Sequence, residues 1–282
     1  MEQFLQGQTA VITGGTQGIG WALTQALAAH GARVYACGYS TDSLERAESE
    51  RQTLPWGDRI CLARCDVTKQ TQYVGWLEEV YGVNGRLDIL IHNAAYVQWD
   101  DVLDMSIEQA QHTMRVGYDG LVTGVRTALP WMLATGQGHI VAIGSITARI
   151  LVRGSSAAYT ATKAAIDAYT VTLQMELAHT PVNATLVRLG TVAGTDFFKK
   201  YVQPERTPKL NKYLPALTPP QVATAVLRAI RQKQDILTLP GYLGPLSIIY
   251  QIAPRFSRWL SDQGWGAHPD YGRVGWKYER EK

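Results

Sequence analysis

The sequence predicts an α/β fold, a doubly wound parallel sheet of about seven strands in a single domain with a C-terminal extension. Three observations carry that prediction. Short apolar runs of strand length alternate with longer amphipathic stretches from residue 9 to residue 239, the pattern of strands joined by helical crossovers. A glycine-rich turn, Thr13-Gly14-Gly15-Thr16-Gln17-Gly18-Ile19-Gly20, stands between the first such run and the first helical stretch. And 282 residues, 46% apolar and 18% charged, suffice to bury one large core.

The elements follow in order. Thr9 to Ile12 reads as the first strand and Trp21 to Ala29 as its helix. Arg33 to Gly38 is a second strand, and Asp42 precedes a polar helix ending near Thr53. Arg59 to Arg64 is a third strand, followed by a helix over 69–81 and a buried fourth strand over 87–92. Ser106 caps one long helix running to about Leu133, which Gly136-Gln137-Gly138 stops. His139 to Ile143 is strand five, 156–179 a second long helix, and Val182 to Leu189 strand six. Pro219 and Pro220 suit the first turn of a helix through Gln232, before a last strand over 235–239. The domain so predicted spans 1–240, and 241–282 is an aromatic-rich extension.

Composition excludes several classes. A net charge of +3, evenly spread, argues against nucleic acid as a partner. Cys37, Cys61 and Cys65 form no disulfide framework and read as buried thiols in a reducing compartment. The six histidines show no metal-ligand spacing, so no metal is assigned. No basic, apolar leader is visible, and no run approaches the ~20 apolar residues of a membrane span. The expectation is a cytoplasmic protein, at most peripheral to a membrane.

Two constellations carry chemistry. The glycine turn gathers backbone N–H groups at a helix N-terminus, a site suited to pyrophosphate. Gly14 allows the tight turn, Gly18 close approach of a ligand, and Gly20 packing of the helix on the sheet. Further on, Tyr159 and Lys163 lie four apart on one helix face. An ammonium beside a phenol favours the phenolate, so Lys163 is expected to pull the Tyr159 pKa down towards neutrality. Ser145, just past strand five, can hold a substrate oxygen against the tyrosine.

With these motifs in place, the sequence resembles the short-chain dehydrogenase/reductase family from Leu5 to Leu239. TGGTQGIG (13–20) is similar to the family's TGxxxGxG turn, Asp66-Val67 to its adenine-contacting pair, and His92-Asn93-Ala94-Ala95 to its NNAG stretch. Ser145, Tyr159 and Lys163 match its catalytic residues. The resemblance implies a Rossmann-type fold and hydride transfer between a nicotinamide and a carbonyl or carbinol carbon. Tyr159 would pass the proton, Ser145 would orient the oxygen, and Lys163 would hold the nicotinamide ribose. Cofactor contacts are expected from Gly14, Thr16, Gln17, Gly18, Ile19, Gly20, Asp66, Val67, Asn93, Ala94, Tyr159, Lys163, Gly190 and Val192. The long helices 106–133 and 156–179 resemble those that pair subunits, which implies a homodimer or homotetramer.

The chain departs from the family at two places. Gly117, in Val116-Gly117-Tyr118-Asp119-Gly120, stands where the family has an asparagine supporting the proton relay through its main-chain carbonyl at a helix kink. Glycine keeps the carbonyl and permits a kink but has no side chain, so altered catalysis is expected. Leu189-Gly190 replaces the family's Pro-Gly, and Thr195 is displaced by one residue from its later threonine. At the end of strand two, Gly38-Tyr39-Ser40 carries neither the carboxylate that selects NAD nor the arginine that selects NADP. Without a carboxylate to repel a 2′-phosphate, NADP(H) is favoured over NAD(H), with Tyr39 and Ser40 as contacts.

The extension contains Tyr242, Tyr250, Phe256, Trp259, Trp265, Tyr271, Trp276 and Tyr278. Leu246, Ile249, Tyr250 and Ala253 keep helical spacing, as do Ile252, Phe256, Trp259 and Leu260, with Pro254 between the sets. The plainer reading is packing on its own domain or a sister subunit. The sharper one is an interfacial segment flanked by Arg255 and Arg258 that helps admit lipid-like substrates. The long loop from Asp196 to Leu217 sits where the family has its substrate lid, and its apolar members point to an apolar substrate, lipid-like or polyketide-like. The expected activity is therefore a ketone reductase or secondary-alcohol dehydrogenase. The alternative is a non-redox, nucleotide-bound scaffold, against which the retained Ser145, Tyr159 and Lys163 argue.

Overall fold

The computed structural model describes residues 3–151, 156–195 and 216–263. The elements are β1 (Thr9–Thr13), α1 (Gly18–Ala29), β2 (Arg33–Gly38), α2 (Thr41–Arg51), β3 (Ile60–Arg64), α3 (Gln70–Asn84) and β4 (Ile89–His92). They continue with α4 (Ile107–Met114), a π-turn (Arg115–Asp119), α5 (Gly120–Thr135), β5 (Gly138–Ser145), α6 (Ala157–Glu176) and β6 (Val182–Leu189). The last are α7 (Pro219–Gln232), β7 (Ile236–Leu239), α8 (Leu243–Ile252) and α9 (Pro254–Gln263).

All strand pairs are parallel, in the order β3-β2-β1-β4-β5-β6-β7. The chain starts in the middle, winds outward to β3, then returns past β1 to build the other half. Such a reversal opens a crevice at the carboxyl ends of the central strands. Both faces are covered, so the central strands read as unbroken apolar runs; all five residues of β1 are buried. On one face Leu23, Leu27, Val222 and Val226 of α1 and α7 pack on Ile12, Ile91 and Val187. On the other, Leu77, Leu121, Val125, Ile166 and Leu173 of α3, α5 and α6 pack on Val11, Leu90 and Ala142.

Three sequence expectations change. The long helix expected from Ser106 to about Leu133 is divided by a π-turn centred on Gly117, where the sequence permits a kink. Its start is as expected, with Ser106 and Gln109 forming a reciprocal cap. α6 ends at Glu176, and α3 continues to Asn84, where Gly85 closes it in the left-handed conformation with its N–H on the Tyr81 carbonyl. Cys37 and Cys65 are buried, but Cys61 is only half-buried on the outermost strand. The helices expected in the extension form as α8 and α9, on either side of Pro254. Most of the expected lid (196–215), and Trp265, Tyr271, Trp276 and Tyr278, lie outside the described residues.

Candidate active site and dinucleotide cleft

The glycine turn is braced from below. Gly14 and Gly18 have φ of 62° and 54°, a left-handed backbone that glycine adopts without strain. The Asn93 side-chain amide donates to the carbonyl of Gly14 at 2.8 Å, and the Thr13 hydroxyl accepts the N–H groups of Asn93 and Ala94 at 3.2 Å each. Asn93 and Ala94 thus shape the turn from the end of β4. Gly20 is required by close approach: a Cβ there would strike the Gly14 carbonyl and the Asn93 amide. No side chain caps the first turn of α1, so its N-terminus keeps N–H groups to offer an anion. Ile19 is half-buried and Gln17 exposed at this end. Thr16 is buried with its hydroxyl 2.9 Å from that of Ser43, which ties the turn to α2 and fills the space above Gly38.

The loop after β6 reaches this turn. Gly190 donates its N–H to the Leu239 carbonyl at 2.7 Å, and Val192 is buried in a bridge to Leu217. Thr195 follows and sits against Gly18, its Cγ2 lying 3.4 Å from where a Cβ there would be. The one-residue displacement therefore leaves the threonine against the glycine turn.

Beyond the carboxyl end of β3, Asp66 accepts the N–H and hydroxyl of Thr68 at 3.0 and 2.7 Å, and Val67 is buried beside it. Tyr39 is 67% exposed. Ser40 precedes α2, and its carbonyl accepts from the Ser43 hydroxyl. Sequence reasoning missed Arg64. It ends β3 in register with Gly38, donates from Nε to the Tyr39 carbonyl at 3.3 Å, and holds its guanidinium 5.9 Å from the Tyr39 ring centre. Parallel pairing alone brings this cation to a position where strand two lacks one.

Ser145, Tyr159 and Lys163 come together at the carboxyl end of β5. All three are buried. The Ser145 hydroxyl lies near the Tyr159 phenol and favours its ionised form. Ser145 Oγ also lies 3.4 Å from the Leu189 carbonyl and accepts from the Thr147 N–H and hydroxyl at 3.2 and 2.9 Å. Lys163 Nζ donates to the Ile143 carbonyl at 2.8 Å and lies 5.7 Å from the Tyr159 ring centre. The expected lowering of the tyrosine pKa is corrected here. Burial pushes the phenol up to about 12, against a smaller downward pull from Ser145. Burial brings Lys163 down to about 8. Taking both groups out of water disfavours the charged form of each, and the ammonium's attraction does not overcome that.

Two more neighbours were not legible as site residues. Trp99, in the loop after β4, is buried with its ring 5.5 Å from that of Tyr159, and gives the phenol an apolar wall. Asp167, one turn beyond Lys163 on α6, accepts Arg149 at 2.9 and 2.6 Å and Arg188 at 2.6 and 3.1 Å. It pins the segment after Ser145 and the end of β6 to the helix bearing Tyr159.

The comparisons with known proteins agree with this architecture. The short chain dehydrogenase family matches residues 8–206. An uncharacterised oxidoreductase of Staphylococcus aureus is 30% identical over 232 residues, covering 82% of this chain and 94% of its own. A fatty acyl-CoA reductase of Acinetobacter baylyi is 30% identical over 285 residues, covering 94% and 86%. A short-chain dehydrogenase/reductase of Burkholderia phymatum, solved in complex with NAD, superposes with a TM-score of 0.79 at 23% identity, over 90% of this chain and 96% of that one. With its central-start parallel sheet, braced glycine turn and family match, the chain belongs to the short-chain dehydrogenase/reductase family of NAD(P)-dependent oxidoreductases.

Proposed function

We propose that the protein reduces an apolar ketone, or oxidises the corresponding secondary alcohol, with NADP(H) as cofactor and Ser145, Tyr159 and Lys163 as catalytic residues. The observation that carries this reading is the gathering of Ser145, Tyr159 and Lys163, all buried, at the carboxyl end of β5, with Lys163 Nζ 5.7 Å from the Tyr159 ring centre on the same face of α6. The uncapped α1 N-terminus and the Thr13–Asn93 brace fit a dinucleotide pyrophosphate. When bound, the nicotinamide supplies or accepts the hydride at the carbonyl carbon. Tyr159, held protonated by burial, gives its O–H proton to the oxygen as that charge develops, and Ser145 donates a hydrogen bond to the same oxygen. Lys163, still an ammonium below about pH 8, stabilises the phenolate left behind. Trp99 supports an apolar substrate of lipid-like or polyketide-like character.

Arg64 supports NADP(H), although the Burkholderia relative holds NAD. A guanidinium beside Tyr39 and Ser40 suits a 2′-phosphate and gains nothing from a 2′-hydroxyl. The test is a paired fluorescence titration with NADPH and NADH, followed by a ketone screen. Tyr159→Phe should cut turnover by about a thousandfold with NADPH affinity retained. Arg64→Gln should weaken NADPH by about tenfold and leave NADH unchanged. Undiminished turnover by the first variant, or tighter binding of NADH by the unaltered protein, would overturn the corresponding part.

The extension supports peripheral contact with a membrane. Ile248, Ile249, Ile252, Phe256 and Trp259 are exposed on α8 and α9, with Arg255 exposed beside them. That is the composition of a segment lying in a headgroup layer. Vesicles containing anionic lipid should retain the protein, and Ile252→Glu with Trp259→Glu should release it; equal retention would remove this role. No helix among the described residues is long and apolar enough to cross a membrane. The helices α4, α5 and α6 remain the surfaces expected, by family resemblance, to form a homodimer or homotetramer.

A further inference from the structure

The departure at Gly117 has a structural counterpart on the neighbouring strand. A π-turn loosens the helical hydrogen-bond ladder at Arg115–Asp119. No side chain can stabilise it from position 117: a Cβ there would lie 2.5 Å from Cγ2 of Thr162, the residue before Lys163. Thr162 is itself buried and anchored by its hydroxyl to the Ala158 carbonyl at 2.9 Å. The π-turn therefore packs directly on the helix face that presents Lys163, with no side chain at position 117 between them.

His92 faces the turn from the end of β4. It is 1% exposed, and its Cε1 lies 3.1 Å from where a Cβ on Gly120 would be. The hydrogen-bond network assigns its tautomer. The Thr13 hydroxyl accepts from the N–H groups of Asn93 and Ala94, so its own proton goes to His92 Nδ1, 3.2 Å away. The remaining ring proton is then on Nε2. That atom is buried and faces the carbonyls of Val116 and Gly117, yet closes a full hydrogen bond with no group among the described residues. A buried N–H aimed at the carbonyls of an opened helical turn has one economical use.

We infer that His92 is a positioning residue, whose Nε2–H holds the Val116–Gly117 turn and through it the Thr162–Lys163 face of α6. The inference rests on the catalytic reading of Lys163 given above. Burial and the nearby Lys163 charge hold the imidazole neutral, its pKa down at about 3. Lys163 is the charged group bearing on the ring; Thr13, Val67, Gly117 and Gly120 around it bring no charge.

The experiment separates the two ring nitrogens. Glutamine at 92 places an amide donor near the Nε2 position, whereas asparagine reaches only the Nδ1 position next to Thr13. His92→Gln should keep kcat within about threefold of the unaltered protein, and His92→Asn should lower it by about tenfold to a hundredfold, with NADPH affinity unchanged in both. Amide hydrogen exchange over 115–121 should quicken in His92→Asn and stay slow in His92→Gln. A histidine needed only for its bond to Thr13 gives the opposite ranking, which would overturn the inference, as would equal exchange in the two variants. Nitrogen-15 spectra of the unaltered protein should show a neutral ring protonated at Nε2, and the other tautomer is equally fatal. If the unaltered protein reduces no ketone, the catalytic reading fails, while exchange and tautomer still decide whether His92 holds the turn.

Discussion

Lys163 shows how one buried side chain connects sequence to rate. Its Nζ is taken by a backbone carbonyl, and its pKa comes down to about 8 through loss of solvent. In the mechanism proposed above, it is an ammonium below that value and stabilises the phenolate formed when Tyr159 gives up its proton; above it the charge is gone. Carbonyl reduction should therefore fall as pH rises through about 8, and a rate profile between about pH 6 and about pH 10 checks this. A lysine at its ordinary value would keep the rate flat until above about pH 10. Tyr159, Lys163 and Ser145 were legible in the sequence because their spacing places them on one helix face and at one strand end. Trp99 and Arg64 were not. Each enters the site from an element distant in the chain, and nothing in the local sequence around either marks it.

At the scale of elements, the site depends on how α6 is held against β5 and β6. Asp167 is the joint: a buried carboxylate whose oxygens take two guanidinium groups, one from the segment after the serine strand and one from β6. Replacing it with alanine leaves Arg188, 12% exposed, and Arg149 without their counter-charge. Asp167→Ala should lose about 3–5 kcal/mol of stability, read by urea denaturation. A loss within about 0.5 kcal/mol would mean that water compensates both arginines. Element types were predictable from periodicity, and the boundaries of β6 and α7 with them. The π-turn was not: Gly117 read as a kink, and the close approach of Thr162 to that position is a tertiary contact.

Across the whole molecule, acid should unfold the sheet through its buried histidines. On β5, His139 donates from Nε2 to the Thr185 hydroxyl of β6 at 2.7 Å, which in turn donates to the Gln234 carbonyl at 2.6 Å. Burial holds its pKa down at about 4. The unfolded chain binds the proton near the ordinary value of 6.5, so it takes up more protons than the native state between pH 6.5 and 4. Stability falls as pH drops through that window, by about 2–3 kcal/mol for this residue. The urea midpoint should show the decline, and His139→Gln should make it shallower; an unchanged slope would place the acid sensitivity elsewhere.

What the sequence determined by itself was whatever rests on local spacing: the alternation of strand and helix, the glycine turn opening α1, and the Tyr159–Lys163 pair one helical turn apart. Strand order, the partners of buried polar groups and the sign of the tyrosine shift belonged to the tertiary structure. Parallel pairing placed Arg64 beside Tyr39, and packing of the helices on the sheet placed His92 against Gly120, across gaps in sequence that no periodicity spans. The pKa values followed from burial, which depends on what every other element covers. Contact at a distance and loss of solvent are properties of the packed molecule, and they decided how the residues named by the sequence are set to act.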